Sequence, residues 1–260
     1  THVVDNKEAD DIFRSFFKAS VSELEASTDL ALAEVLYRVA WKKGIKYVFE
    51  GHSFMTEGIT PVSKNYFDGR YIKAIHTRYG EINMKTYPLM DMKKFLFWTA
   101  LARIKKIRPY WYLNYSKEKA RHILQNEYDW QYYGGHHLEN RMTAFFHSIY
   151  APQKLKVDFR NNTLSAMVRN GQLDRKLAIE KYMDTPPTDA KLVKYFCKRL
   201  GLSQNEYISQ LNSPLKFWTE FPTYKRTFEI LRPLFYLLSK SNLVPHSFYL
   251  KYCFPIKEKK

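Results

Sequence analysis

The chain has 260 residues, with 42 Lys or Arg against 26 Asp or Glu, and a formal charge of +16. Apolar residues make up 45% of it, enough for a folded core and too many for a disordered chain. Two isolated cysteines, Cys197 and Cys253, exclude a disulfide framework and a zinc site built on cysteine pairs, and the apolar run ILRPLFYLL is too short to span a bilayer and is broken by Arg232 and Pro233.

The length allows one large domain or two small ones. A basic surface attracts polyanions: nucleic acid, anionic lipid, nucleotides or sugar nucleotides. With no signal peptide, no membrane span and thiols that read as buried, the chain is expected in a reducing cytoplasm. It starts at Thr1, and THVVDN reads as if in mid-strand, so it is expected to be part of a longer protein.

In chain order, residues 1–5 predict a β-strand ending in a turn at Asp5 and Asn6. Residues 7–18 predict a helix with Ile12, Phe13, Phe16 and Phe17 on one side. From Asp29 to Lys43, Leu32, Val35, Leu36, Val39 and Ala40 recur at helical spacing, after a Thr28 cap and before a Gly44 stop. Ile45–Glu50 predicts a second strand. Strand, helix, strand is the pattern of a parallel βαβ unit. Beyond residue 90 the pattern is helical: 93–103, 116–126 behind a Ser116 cap, 138–150, 174–183, 188–200 and 203–211. Ser203 and Glu206 form a capping box, and Thr185-Pro186-Pro187-Thr188 a stiff connector. The expected architecture is α/β: a partial Rossmann-like parallel sheet over 1–90, then a mainly helical region over 91–260.

Three stretches carry candidate chemistry. In open α/β sheets, ligands bind beyond the carboxyl ends of strands. That selects Gly51, His52, Thr56 and Glu57 in EGHSFMTEG, which otherwise read as a plain loop. In YYGGHHLEN, His136 and His137 are adjacent and diverge by about 100° on a helix, so they do not share a metal and no metal site is expected. Gly134 and Gly135 before a helix suit either an anion held by backbone amides or a tight turn. In KLKVDFR, alternation predicts an extended basic edge carrying Lys154, Asp158 and Arg160. Helices 188–200 and 203–211 have helix-turn-helix spacing, but QNEYISQ lacks the Arg or Lys that would meet DNA, which argues against nucleic acid.

Taken together, FRSFFKAS, GIKYVFEGHSFMTEGITP, YFDGRYIKAIHTRYG, YDWQYYGGHHLEN and the block from Thr143 to Ser165 resemble the N-acetyl sugar amidotransferases of bacterial surface-polysaccharide synthesis. These belong to the PP-loop ATP pyrophosphatase group. The resemblance implies ATP with Mg2+ as cofactors, a nucleotide-linked sugar as substrate, and ammonia from a histidine-biosynthesis-like glutaminase, with its cyclase-like companion. It implies a nucleotide cleft lined by Gly51, His52, Thr56, Gly134, Gly135, Glu139, Lys154, Asp158 and Arg160. Glu57, His136 and His137 are its candidates for chemistry. Two departures stand out. The Ser-Gly-Gly-x-Asp-Ser loop occurs nowhere in the chain, and Ala144 and Phe159 stand where the family tends to carry basic residues. A tRNA-modifying relative and a non-catalytic subunit docking the glutaminase are the alternatives.

Overall fold

The computed structural model describes residues 3–58, 66–135, 138–184 and 188–255. The chain is mainly helical. In order it forms α1 (Asn6–Ala19), α2 (Ala26–Lys42), β1 (Tyr47–Phe49), α3 (Phe54–Glu57), α4 (Gly69–Tyr79), α5 (Met92–Leu96), β2 (Lys105–Ile107), α6 (Lys117–Tyr128), α7 (Arg141–Phe145) and α8 (Arg160–Arg169). Then follow α9 (Arg175–Met183), α10 (Leu192–Leu200), α11 (Gln204–Asn212), α12 (Lys225–Ile230), α13 (Arg232–Lys240) and α14 (His246–Tyr252). Among the described residues the one sheet is the parallel pair β1–β2.

The first strand expected from THVVD does not form over its described residues, 3–5. Instead the Asp5 side chain accepts the Lys7 amide and starts α1, the usual use of Asp before a helix. The second expected strand does form. Its partner is β2, with Lys105 N–H donating to Lys46 O and Glu50 N–H to Ile107 O, both at 2.8 Å.

Two compact units interleave along the chain. One comprises Thr1–Val48, Val62–Lys106 and Ile208–Lys260, the other Phe49–Pro61 and Ile107–Tyr207. In the first, Ile12, Phe13, Phe16 and Phe17 are buried as expected, and Phe16 meets Tyr71 of α4 edge-on at 5.9 Å. Fully burying one such side chain stabilises by about 1.5–3 kcal/mol. Helix α2 forms, but on a different face from the one expected. Ala31, Glu34, Tyr37 and Ala40 are buried, while Leu32, Leu36 and Val39 are exposed. The stripe of a βαβ helix needs a sheet beneath it, and the described sheet has two short strands.

In the second unit, Phe145 stacks on Phe196 of α10 at 3.7 Å, with Tyr207 edge-on to both. The helix expected at 138–150 starts later, at α7, and widens into a π-helix over Phe146–Leu155 that contains Pro152. Such wide turns occur where the α-helical bond ladder is interrupted. The extended edge expected at 154–160 does not form. Lys154 lies in the π-helical turn, Lys156 closes it in a left-handed conformation (φ 57°), and Arg160 opens α8.

Candidate functional site

All described candidates from the sequence lie in the second unit: Gly51, His52, Thr56 and Glu57 on one segment, and Gly134, Gly135, Glu139, Lys154, Asp158 and Arg160 on the other. His136 and His137 lie outside the described residues.

The first segment leaves β1 at Glu50, whose carboxylate pairs with Arg108. Helix α3 is a single turn. The Glu57 and Gly58 amides donate back to the carbonyls of Ser53 and Phe54, at 2.9 and 3.2 Å. The turn is pinned by α8 and its end, where Asn170 Nδ2 donates to Met55 O at 2.7 Å, and by Trp111, which meets the Phe54 ring at 5.8 Å. Gly58 ends it at φ +79°, and a Cβ there would stand 2.8 Å from the Asn162 carbonyl oxygen. Anchored in this way, the turn keeps Thr56 buried and presents His52 and Glu57 together at the surface, Nδ1 to Oε2 at 2.7 Å. The bond to Glu57 raises the His52 pKa above its ordinary value. Gly51 is exposed, with open space where a Cβ would be. The Ser53 hydroxyl oxygen is buried with no hydrogen-bond partner among the described residues.

Lys117 comes between the two segments in the sequence. It is the first residue of α6, behind a Ser116 cap whose hydroxyl accepts the Lys119 amide. Burial pulls its pKa down, against the opposing pull of the Glu57 and Glu139 carboxylates. One acid from each sequence segment thus acts on the same ammonium. Burial, then the neighbouring Tyr110 and Glu57, push the Tyr115 hydroxyl up. Burial and Glu139 push the Tyr133 hydroxyl up, and Tyr133 is hydrogen-bonded to Glu139. Lys117, Tyr115 and Tyr133 were not selected from the sequence. A signal was there: a lysine directly after a serine cap sits at the positive end of the helix dipole, where cations are disfavoured unless acids offset the cost.

The remaining candidates are placed as follows. Gly134 is exposed at φ +91°, and a Cβ on Gly135 would meet Leu138 Cδ1 at 2.7 Å. The glycines do not abut a helix. α7 begins at Arg141, and its leading amides are taken by Asn140 Oδ1, which accepts from Met142 and Thr143 at 2.9 and 3.4 Å. Lys154 is half-buried, and burial lowers its pKa. Arg160 pairs with Asp158 at 2.7 Å and donates to the carbonyls of Lys181, Tyr182 and Asp184, closing the C-terminal end of α9. Burial would raise the Asp158 pKa, but the Arg160 bonds outweigh it and hold it low.

Two cofactors were expected, ATP and Mg2+, and the described residues give neither a protein-built metal cluster nor a phosphate cradle at the glycine pair. No group of three or more His, Cys, Asp or Glu among them could hold a metal ion. The glycine pair is separated from the α7 amides, and those amides are engaged, so no cradle for a triphosphate forms there. What the cluster offers is an acid-flanked lysine beside a histidine–glutamate pair, with aromatic hydroxyls around it. That suits a polar, uncharged group that exchanges protons.

Residues 139–234 match the family described as LPS biosynthesis protein WbpG-like, C-terminal domain. That family's name places it in lipopolysaccharide biosynthesis, and the matched segment holds Glu139, Lys154, Asp158 and Arg160 but neither the 51–57 loop nor Lys117. The same comparisons find no match among curated proteins or solved structures. No helix among the described residues is long and apolar enough to cross a membrane.

Proposed function

We propose that the chain belongs to an ATP-dependent amidotransferase of surface-polysaccharide synthesis, and that it handles the N-acetyl group of a nucleotide-linked sugar. The reaction exchanges the amide oxygen for nitrogen from ammonia, giving an acetamidino group, with AMP and pyrophosphate released. The single observation that carries this reading is the His52–Glu57 pair, Nδ1 to Oε2 at 2.7 Å, presented together by the anchored turn of α3. The lipopolysaccharide family match over 139–234 supports it.

ATP with magnesium supplies the activation of the amide oxygen. The roles assigned to this chain's residues are those at the acyl carbon and the incoming nitrogen. When ammonia adds to that carbon, its nitrogen must lose a proton. Glu57, 2.7 Å from His52 Nδ1, gives that proton a pair of sites to move between. Lys117 adds a cation beside the two carboxylates that act on it, Glu57 and Glu139. Tyr133, Glu139 and Tyr115 orient the amide by hydrogen bonds. The ammonia would come from a glutaminase partner, with its cyclase-like companion.

The test is to co-express the native gene product with that glutaminase and to supply ATP, Mg2+, an N-acetylated nucleotide sugar and glutamine labelled in its amide nitrogen. Label should enter the nucleotide sugar as AMP forms. Glu57→Gln should lower the rate at least about 10²-fold, and Lys117→Met should act in the same direction. No labelled product from the wild type would end the reading. A non-catalytic subunit that docks the glutaminase is a second reading, favoured by Ala144 and Phe159, which stand where the family tends to carry basic residues. It predicts that Glu57→Gln changes nothing in a complex that makes product.

A further inference from the structure

The polar cluster adjoins an aromatic surface of which the reaction above uses only the Tyr133 hydroxyl. Helix α6 ends with Asp129 in a left-handed conformation, φ 52°, and the Asp129 and Trp130 amides both donate to the Leu124 carbonyl. The chain therefore doubles back along α6. The return brings the Tyr132 ring to 4.8 Å from the Arg121 guanidinium. Tyr132 and Tyr133 stack with centroids 6.0 Å apart, and Trp130 lies 5.5 Å from Tyr133 and 6.0 Å from Tyr132. Tyr132 is 45% exposed and Tyr133 43%, so both keep faces open to solvent.

Cations stand on one side of this surface. Arg121 follows Lys117 by one helical turn, so the guanidinium and the ammonium lie on one face of α6. Tyr133 is bonded to Glu139, the acid that also acts on Lys117, so the rings and the cations share one neighbourhood. A ligand for this arrangement needs a flat π face and negative charge. A free sugar lacks both, and a lipid headgroup lacks the flat face. A nucleoside phosphate has both, and base-on-aromatic stacking contributes about 1–3 kcal/mol per base.

We propose that Trp130, Tyr132 and Tyr133 form a stacking site for the base of a nucleoside phosphate, with Arg121 and Lys117 on its phosphate side. This rests on the proposed function in one respect: the nucleotide would be that of the sugar substrate, or else ATP. The two sources share the chemistry and are told apart by experiment. Calorimetric titration of the full chain uses three probes: UDP, ATP and free N-acetylglucosamine. The wild type should bind at least one nucleotide and not the sugar. Tyr132→Leu should weaken that binding by about fivefold or more, while Tyr132→Phe, which keeps the ring, should bind as wild type. Weakened UDP binding assigns the site to the sugar nucleotide, and weakened ATP binding alone assigns it to ATP. A wild type that binds neither nucleotide overturns the proposal, as do Tyr132→Leu and Trp130→Leu variants that bind both normally. Amidination is measured in parallel. Intact stacking without amidination would overturn the proposed function alone, and amidination with unchanged nucleotide binding in both variants would overturn the stacking site alone.

Discussion

At the scale of single residues, the His52–Glu57 pair makes the sharpest prediction about protons. Glu57 raises the His52 pKa, more than burial and the nearby Arg108 lower it. A histidine with a raised folded-state pKa contributes stability that is fully present below its unfolded value, about 6.5. That contribution is lost as pH rises through the folded value. Because the His52 side chain is 42% exposed, the effect on global stability is small. The titration itself is the readout. Following the His52 ring protons by NMR should give a midpoint above about 6.5, and in Glu57→Gln that midpoint should fall. An unchanged midpoint would mean that the 2.7 Å contact is not an ion pair in solution. Lys117 is the complementary case. The sequence marks it only by an unfavourable position, directly behind the Ser116 cap. The carboxylates that compensate come from positions far away in the chain, and no local rule reaches them.

At the scale of elements, α3 shows how one glycine fixes a site. Gly58 combines φ +79° with a would-be Cβ 2.8 Å from the Asn162 carbonyl oxygen. Gly58→Ala should cost about 1–3 kcal/mol and show as a lower urea midpoint. Gly51→Ala, with open space around it, should be close to neutral. Equal midpoints would mean that α8 does not hold α3 as described. Local signals in the sequence predicted elements well. The Ser203–Glu206 capping box forms, with Ser203 N–H and Oγ both donating to Glu206 Oε2, and Ser116 caps α6. The α1 stripe is buried as its spacing implies. Where the reading failed, the cause lay outside the window of a local pattern. Alternation in KLKVDFR suggested a strand, yet the chain is still completing a π-helix there, and Arg160 is drawn to the end of α9 rather than held in a ladder. For α2, periodicity predicted the helix but not its buried face, because the face depends on what packs against it.

At the scale of the whole molecule, buried acids tie the acid stability to one loop in the first unit. Glu8 accepts the amides of Lys85, Thr86 and Tyr87 at 2.9, 2.9 and 3.0 Å, and the Thr86 hydroxyl at 3.1 Å. Asp11 accepts the amides of Glu81 and Ile82 at 2.8 and 2.9 Å, and it faces His76 and Arg14. Two carboxylates one helical turn apart on α1 thus hold residues 81–87 through their backbone. Burial alone would raise both pKa values, but these bonds outweigh it and both fall below their ordinary values. A depressed carboxylate contributes stability above its unfolded pKa, about 3.9 for Asp and 4.3 for Glu. The contribution is lost as pH falls through the lower folded value. Glu8→Gln removes the charge at every pH while keeping the shape. Its melting temperature should lie well below that of the wild type at neutral pH, and the gap should narrow as pH falls below the unfolded value of about 4.3 and on through the lower folded one. A gap that stays constant across that range would assign the loss to packing rather than to the charge. The loop would then be held by shape alone, and the amide bonds to Glu8 would count no more than neutral ones.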